Sequence, residues 1–198
     1  MKTLCLGGSF NPIHHGHLIC ARAVMERAGY ERVMLIPSAQ PPHKPAHANL
    51  APAQDRLRMC QLAVQGSATF VVDEIELKRS GPSYTIDTAR ELKASRSWSE
   101  VHWLIGADML NYLPQWHRAH ELLREVHFVV MARPGFEFDW QSLPADFQHL
   151  RERVVEAPRI DISSTQIRDR ARAGLPIDYL TPDPVIRYIV QRRLYTAE

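Results

Sequence analysis

The chain has 198 residues, 24 Lys and Arg against 22 Asp and Glu, a formal charge of +2, and 45% hydrophobic against 23% charged residues. That length suits one domain, 1–198, able to bury on the order of 70% of its unfolded surface, and so small a charge argues against bulk nucleic-acid binding. Cys5, Cys20 and Cys60 are odd in number and form no C-x-x-C pair, which speaks against a disulfide framework or zinc ribbon; with no apolar run long enough for a leader or a membrane span, the expectation is a cytoplasmic protein without membrane partners.

In chain order, strand and helix signals alternate. An apolar run, Thr3 to Leu6, stops at Gly7-Gly8 and turns through Asn11-Pro12; Leu18 to Ala28 then reads as a helix closed by Gly29. Arg32 to Pro37 predicts a buried strand, Ser38 to Leu50 a Pro- and His-rich loop, Pro52 to Val64 a helix, and Thr69 to Val72 a strand. Ser83 to Lys93 predicts a helix with a hydroxyl cap candidate just after Gly81-Pro82. Val101 to Gly106 and Val126 to Met131 predict strands, separated by short helical pieces. Phe136 to Leu150 is poorly patterned and reads as a loop with a helical piece, and Arg153 to Glu156 predicts a last strand. Ser163 to Ala173, closed by Gly174, and Pro184 to Leu194 complete the helices. Such alternation predicts an α/β fold, a doubly wound parallel sheet with helices on both faces. Ligands of such sheets bind beyond the strand carboxyl ends, so the residues after Leu6, Pro37, Ile105 and Met131 are expected to line one crevice.

Two stretches carry chemistry. Gly7-Gly8-Ser9-Phe10 fits neither G-x-G-x-x-G nor the P-loop spacing, but paired glycines allow close backbone approach to a phosphate or nucleoside. His14 and His17 bracket the helix start that follows; imidazoles there can donate to phosphate oxygens, and an anion nearby would favour their protonated form. A zinc site at these histidines lacks a fourth ligand of suitable spacing. At the far end, Ser163, Ser164 and Thr165 offer hydroxyls and N–H groups at a helix start with Arg168 one turn on: a phosphate site with a guanidinium clamp, or a capped surface helix with a solvated arginine. Lys44, in Pro41-Pro42-His43-Lys44, could reach phosphates as a point charge or stand exposed in its loop.

Gly8-Ser-Phe-Asn-Pro-Ile-His-His-Gly-His17 and Ile162-Ser-Ser-Thr-Gln-Ile-Arg168 together resemble the G-x-F-x-P-x-H-x-G-H and I-S-S-T-x-I-R motifs of the H-x-G-H nucleotidyltransferase superfamily. Pro41 to Lys44, Pro82 to Thr88, Leu104 to Leu110 with Trp116, and Ala132 to Gly135 are similar, in order and spacing, to bacterial nicotinate mononucleotide adenylyltransferases. The resemblance covers nearly the whole chain; residues 136–159 are the part no motif aligns. It implies a Rossmann-like fold and the reaction ATP + nicotinate mononucleotide → nicotinate adenine dinucleotide + pyrophosphate, with Mg²⁺ arriving on the ATP phosphates rather than at a protein metal site. It leaves the oligomeric state open.

Carried over residue by residue, the resemblance puts His17 on the α-phosphate and His14 on a neighbouring phosphate. Lys44, Ser163, Ser164 and Arg168 would bind the triphosphate, with Gly7, Gly8, Ser9, Phe10, Ile162 and Thr165 completing the ATP site. On the acceptor side it implies Tyr84, Thr85, Gly106, Asp108, Trp116 and Arg133, with Trp116 stacked on the pyridine ring and Asp108 on a ribose hydroxyl. Read as residues alone, Trp116 could pack on the core, Asp108 could cap a helix, and Tyr84-Thr85 could be a first turn only. The rival readings are transfer to nicotinamide mononucleotide or pantetheine phosphate, and a non-catalytic nucleotide-binding module on the same fold.

Overall fold

A computed structural model describes residues 1–42 and 50–196. Among these, six parallel strands form one sheet: β1 (Thr3–Gly8), β2 (Arg32–Pro37), β3 (Phe70–Val72), β4 (His102–Gly106), β5 (His127–Ala132) and β6 (Val154–Glu156), in the order β3-β2-β1-β4-β5-β6. The helices are α1 (His15–Arg27), α2 (Ala53–Ala63), α3 (Thr85–Arg96), α4 (Ala107–Leu110), α5 (Ala119–Glu125), α6 (Ser164–Arg172) and α7 (Asp183–Gln191). The predicted strands and helices all form, and strand order reverses at the β1–β4 pair, as in a Rossmann sheet.

Continuous apolar runs are what strands buried on both faces require, and alternate residues serve opposite cores. Cys5, Met34, Ile36, Trp103, Ile105, Phe128 and Val130 pack on the face covered by α3 and α5. Leu4, Val33, Leu35, Leu104 and Val129 pack on the other, with α1, α2 and α7 residues. Cys5, Cys20 and Cys60 are free, buried thiols in these layers, and burial pushes Cys5 up to about 12. No helix among the described residues is long and apolar enough to cross a membrane.

Two local expectations change, and the poorly patterned stretch takes the loop-with-helical-piece form expected of it. The first helix begins at His15 rather than Leu18, because His14 caps it and draws the histidine run into its first turn. Ser83 does not cap α3: Tyr84 holds the cap position with no side-chain bond, while the Ser83 hydroxyl accepts N–H groups of Ala39 and Gln40. The unpatterned stretch contains two 3₁₀ segments, Trp140–Ser142 and Ala145–Arg153, which bury Phe147 and Leu150 against the core.

Candidate active site

Where the strand order reverses, a cavity of about 290 Å³ opens beyond the carboxyl ends of β1 and β4. Gly7, Gly8, Ser9, Ile105 and Gly106 come from the strand ends; Ser38 follows β2; Tyr84 and Thr85 open α3; Met109 and Trp116 close the far side. A Cβ on Gly7 would lie 2.5 Å from the Trp103 ring, so glycine is what lets that indole cross β1 beneath the cavity. The residues after Leu6, Pro37 and Ile105 meet here as expected. Those after Met131 do not line this cavity.

The turn between β1 and α1 contains a cis Asn11–Pro12 bond and a buried Phe10 at φ 43°, whose ring lies over Gly8. His14, 6% exposed, caps α1 by accepting the His17 N–H at Nδ1, and His17 Nδ1 accepts the His14 N–H, each at 3.3 Å. Both rings thereby carry their ring proton on Nε2, the outer nitrogen. Burial, reinforced by His15, holds His14 down at about 4. Burial thus favours the neutral ring, and the expectation that a nearby anion would favour protonation concerns the ligand-bound state. A Cβ on Gly16 would sit 2.9 Å from His14 Nδ1, so glycine here is what lets the ring take its capping position. His15, outside the motif positions, donates its backbone N–H to Leu180 and acts as scaffold.

The far motif is fastened to this turn. Ser164 Oγ donates to the Pro12 carbonyl at 2.8 Å and Arg168 donates to the Asn11 carbonyl at 2.9 Å, across more than 150 residues of sequence. Ser163 Oγ accepts the Gln166 N–H and caps α6, while Arg168 also reaches Thr165 Oγ1 at 3.2 Å. Ser164 thus gives its proton to the scaffold, whereas Ser163 Oγ only accepts in the cap. What the helix start offers an anion is its first-turn N–H groups, the Ser163 hydroxyl proton and the remaining donors of Arg168. Ile162 packs against the core on the α1 side of the sheet.

In the cavity wall itself, which His14, His17, Ser163, Ser164 and Arg168 do not line, Tyr84 stacks on His117, ring centroids 4.0 Å apart. Trp116 packs edge-on to Phe128 with centroids 6.4 Å apart, as its core reading expects, and also lines the cavity. Asp108 is exposed in the first turn of α4, its carboxylate folded back against Gly106 where any side chain would collide with it. Arg133 is exposed and ion-paired with Asp161 at 2.8 Å. Neither Asp108 nor Arg133 lines the cavity. Lys44 lies outside the described residues.

Sequence reasoning missed the side chain that ties the loops together. Arg56 of α2 is fully buried and donates to four backbone carbonyls: Ala51 (2.9 Å), Ser9 (2.8 Å), Ser38 (2.6 Å) and Ala39 (3.1 Å). Burial lowers its pKa. Asn11, read as a turn residue only, accepts at its side-chain oxygen from Ala51 N–H and the Tyr195 hydroxyl, holding the turn to the segment that follows α7. No local pattern announces either role, since the partners are distant in sequence.

The cytidylyltransferase-like family model matches residues 5–170, more than half of the chain and inclusive of both motifs. The chain belongs to the cytidylyltransferase-like family. Within it, a protein of Herpetosiphon aurantiacus named "probable nicotinate-nucleotide adenylyltransferase" is 44% identical over 194 residues, covering 97% of each chain. One of the same name from Geobacillus kaustophilus is 44% identical over 196 residues, covering 99% of this chain and 87% of that one. Among solved structures, the nicotinic acid mononucleotide adenylyltransferase of Plasmodium falciparum, complexed with NaAD, superposes with a TM-score of 0.73 over 98% of each chain, at 19% identity. At that identity the likeness establishes the shared fold, a Rossmann-like α/β sheet.

Proposed function

We propose that this cytidylyltransferase-like chain is a nicotinate-nucleotide adenylyltransferase, an enzyme of NAD biosynthesis that transfers AMP from ATP to nicotinate mononucleotide and releases pyrophosphate. The observation that carries the reading is near-full-length identity of 44% to relatives bearing that name, with both superfamily motifs intact and fastened to each other at the strand-order reversal. The acceptor's own phosphate is the nucleophile. It is ionised at neutral pH, so the protein needs no general base; what it supplies is in-line positioning and stabilisation of charge on the α-phosphorus and leaving pyrophosphate.

The roles follow from the motif positions and from the tautomers that the reciprocal cap fixes. Nε2–H of His17 would donate to the α-phosphate in the transition state, and Nε2–H of His14 to the neighbouring phosphate. The first turn of α6, Arg168 and Lys44 would hold the β- and γ-phosphates, with the backbone of Gly8 and Ser9 against the nucleotide. The pyridine ring would lie on Trp116, its carboxylate at the main chain of Tyr84–Thr85, where an N-terminal helix turn favours negative charge. Asp108 would take a ribose hydroxyl, and Arg133 a more distant part of the acceptor. Imidazoles, hydroxyls and amides are donors suited to phosphate oxygens rather than to a divalent cation, so Mg²⁺ is assigned to ATP itself and would neutralise its phosphates. The three free thiols fit a cytoplasmic setting. Dinucleotide formation from ATP and each candidate acceptor tests the substrate; turnover confined to pantetheine phosphate would keep the mechanism and remove the acceptor.

A further inference from the structure

Among the described residues lining the cavity, Glu76 is the one carboxylate, and neither superfamily motif contains it. It sits in the 3₁₀ turn Ile75–Lys78 after β3 and is 3% exposed. Two hydroxyls serve it. Thr88 Oγ1, itself fully buried, donates to Glu76 Oε1 at 2.7 Å, and the Ser83 hydroxyl lies close enough to favour the ionised carboxylate.

The direction of these bonds follows from counting lone pairs. Ser83 Oγ accepts the N–H groups of Ala39 at 3.0 Å and Gln40 at 3.2 Å, so its single proton is available to the neighbouring Glu76 carboxylate. Thr88 Oγ1 accepts from Arg79 at 3.0 Å, and its proton goes to Glu76 in preference to the Tyr84 carbonyl at 3.2 Å. The carboxylate is therefore the common acceptor joining the segment after β2 to the first turn of α3. Burial raises its pKa to about 7, against the two hydroxyl bonds and the positive charges of Arg79 and Arg56. Above that pH the ionised carboxyl costs folding stability, and a buried carboxylate of this kind on a cavity wall is a candidate for a functional role.

We propose that Glu76 is a positioning residue for the acceptor nucleotide: through Ser83 and Thr88 it fixes the main chain of Tyr84–Thr85 against residues 38–42, and so sets the geometry in which the pyridine ring and its carboxylate are received. This rests on the nicotinate mononucleotide reading given above.

The test is steady-state kinetics of the full-length protein at pH 8, varying each substrate separately, for wild type, Glu76→Gln and Glu76→Ala. Glutamine keeps the size and one acceptor oxygen, but its amide hydrogens would face a hydroxyl whose oxygen is already occupied. The expected result is a KM for nicotinate mononucleotide raised about tenfold in Glu76→Gln and further in Glu76→Ala, with KM for ATP and kcat changed by less than about threefold. Glu76→Gln should also unfold at the same or a higher temperature than wild type at pH 8, because it removes a buried charge. An unchanged KM for the acceptor in both variants overturns the assignment. So does a parallel rise of both KM values together with a lower unfolding temperature, which would mark a purely structural residue. A wild type inactive on nicotinate mononucleotide overturns the substrate reading and the assignment with it, whereas an active wild type with unaltered variants overturns the assignment alone.

Discussion

The imidazoles of His14 and His17 stack with centroids 3.7 Å apart and planes 26° from parallel, each accepting the other's backbone N–H. One reciprocal cap thus fixes both tautomers, orients both outer nitrogens and starts α1. It also makes the helix terminus and the proposed phosphate donors a single unit. His17→Ala should lower kcat by ~10²–10³, the scale of losing one transition-state donor. The accompanying loss of half the cap should cost only about 1 kcal/mol of stability. A circular dichroism melt alongside the kinetics separates the two; undiminished kcat would remove His17 from the chemistry.

His14 gives the structure a pH dependence with a definite sign. Its ordinary value is 6.5, and in the folded protein it is about 4. Between those values the unfolded chain binds more protons than the folded one, so the contribution is fully present above pH 6.5 and is lost as pH falls toward 4. The span is on the order of 3 kcal/mol. His14→Asn keeps a capping side chain without the titration, so its unfolding free energy should fall less steeply than wild type from pH 7 to pH 4. Parallel slopes would contradict this.

Gly16→Ala sets two effects against each other. Alanine in a helix gains about 1 kcal/mol over glycine. Its Cβ, however, would meet His14 at 2.9 Å, and such overpacking typically costs 1–3 kcal/mol or moves the ring. The ring is expected to yield, so kcat should drop about tenfold or more while the melting temperature stays close to wild type. Wild-type turnover in this variant would show that His14 need not be where the cap holds it.

Arg56→Met removes a fully buried guanidinium from the carbonyls of Ala51, Ser9, Ser38 and Ala39. Each buried acceptor left unpaired costs about 1–3 kcal/mol. A loss of about 3 kcal/mol or more by urea denaturation is expected, with KM raised for both substrates because Arg56 holds loops on both sides of the cavity. A neutral substitution would mean that the carbonyls find other partners.

The sheet was legible because parallel strands buried on both faces write themselves as unbroken apolar runs such as Val33 to Ile36, with turn residues at each end. The two phosphate motifs were legible because each is a contiguous string whose parts act together, as the His14–Gly16–His17 cap shows. Ser83 was misread for the reason that a hydroxyl before a helix satisfies a local rule, whereas its actual partners, Ala39 and Gln40, lie more than forty residues away. Arg56, Asn11 and Glu76 were invisible on the same ground: their bonds join elements that only the fold brings together. Lys44 falls outside the described residues, so its place rests on the family resemblance.

The most direct test is dinucleotide formation by the purified protein from ATP and Mg²⁺ with nicotinate mononucleotide, nicotinamide mononucleotide or pantetheine phosphate, each followed by pyrophosphate release and product mass. The account predicts nicotinate adenine dinucleotide and pyrophosphate in equal amounts, with the nicotinate form the preferred acceptor. Turnover confined to either of the other acceptors, or tight ATP binding without turnover of any, would contradict it.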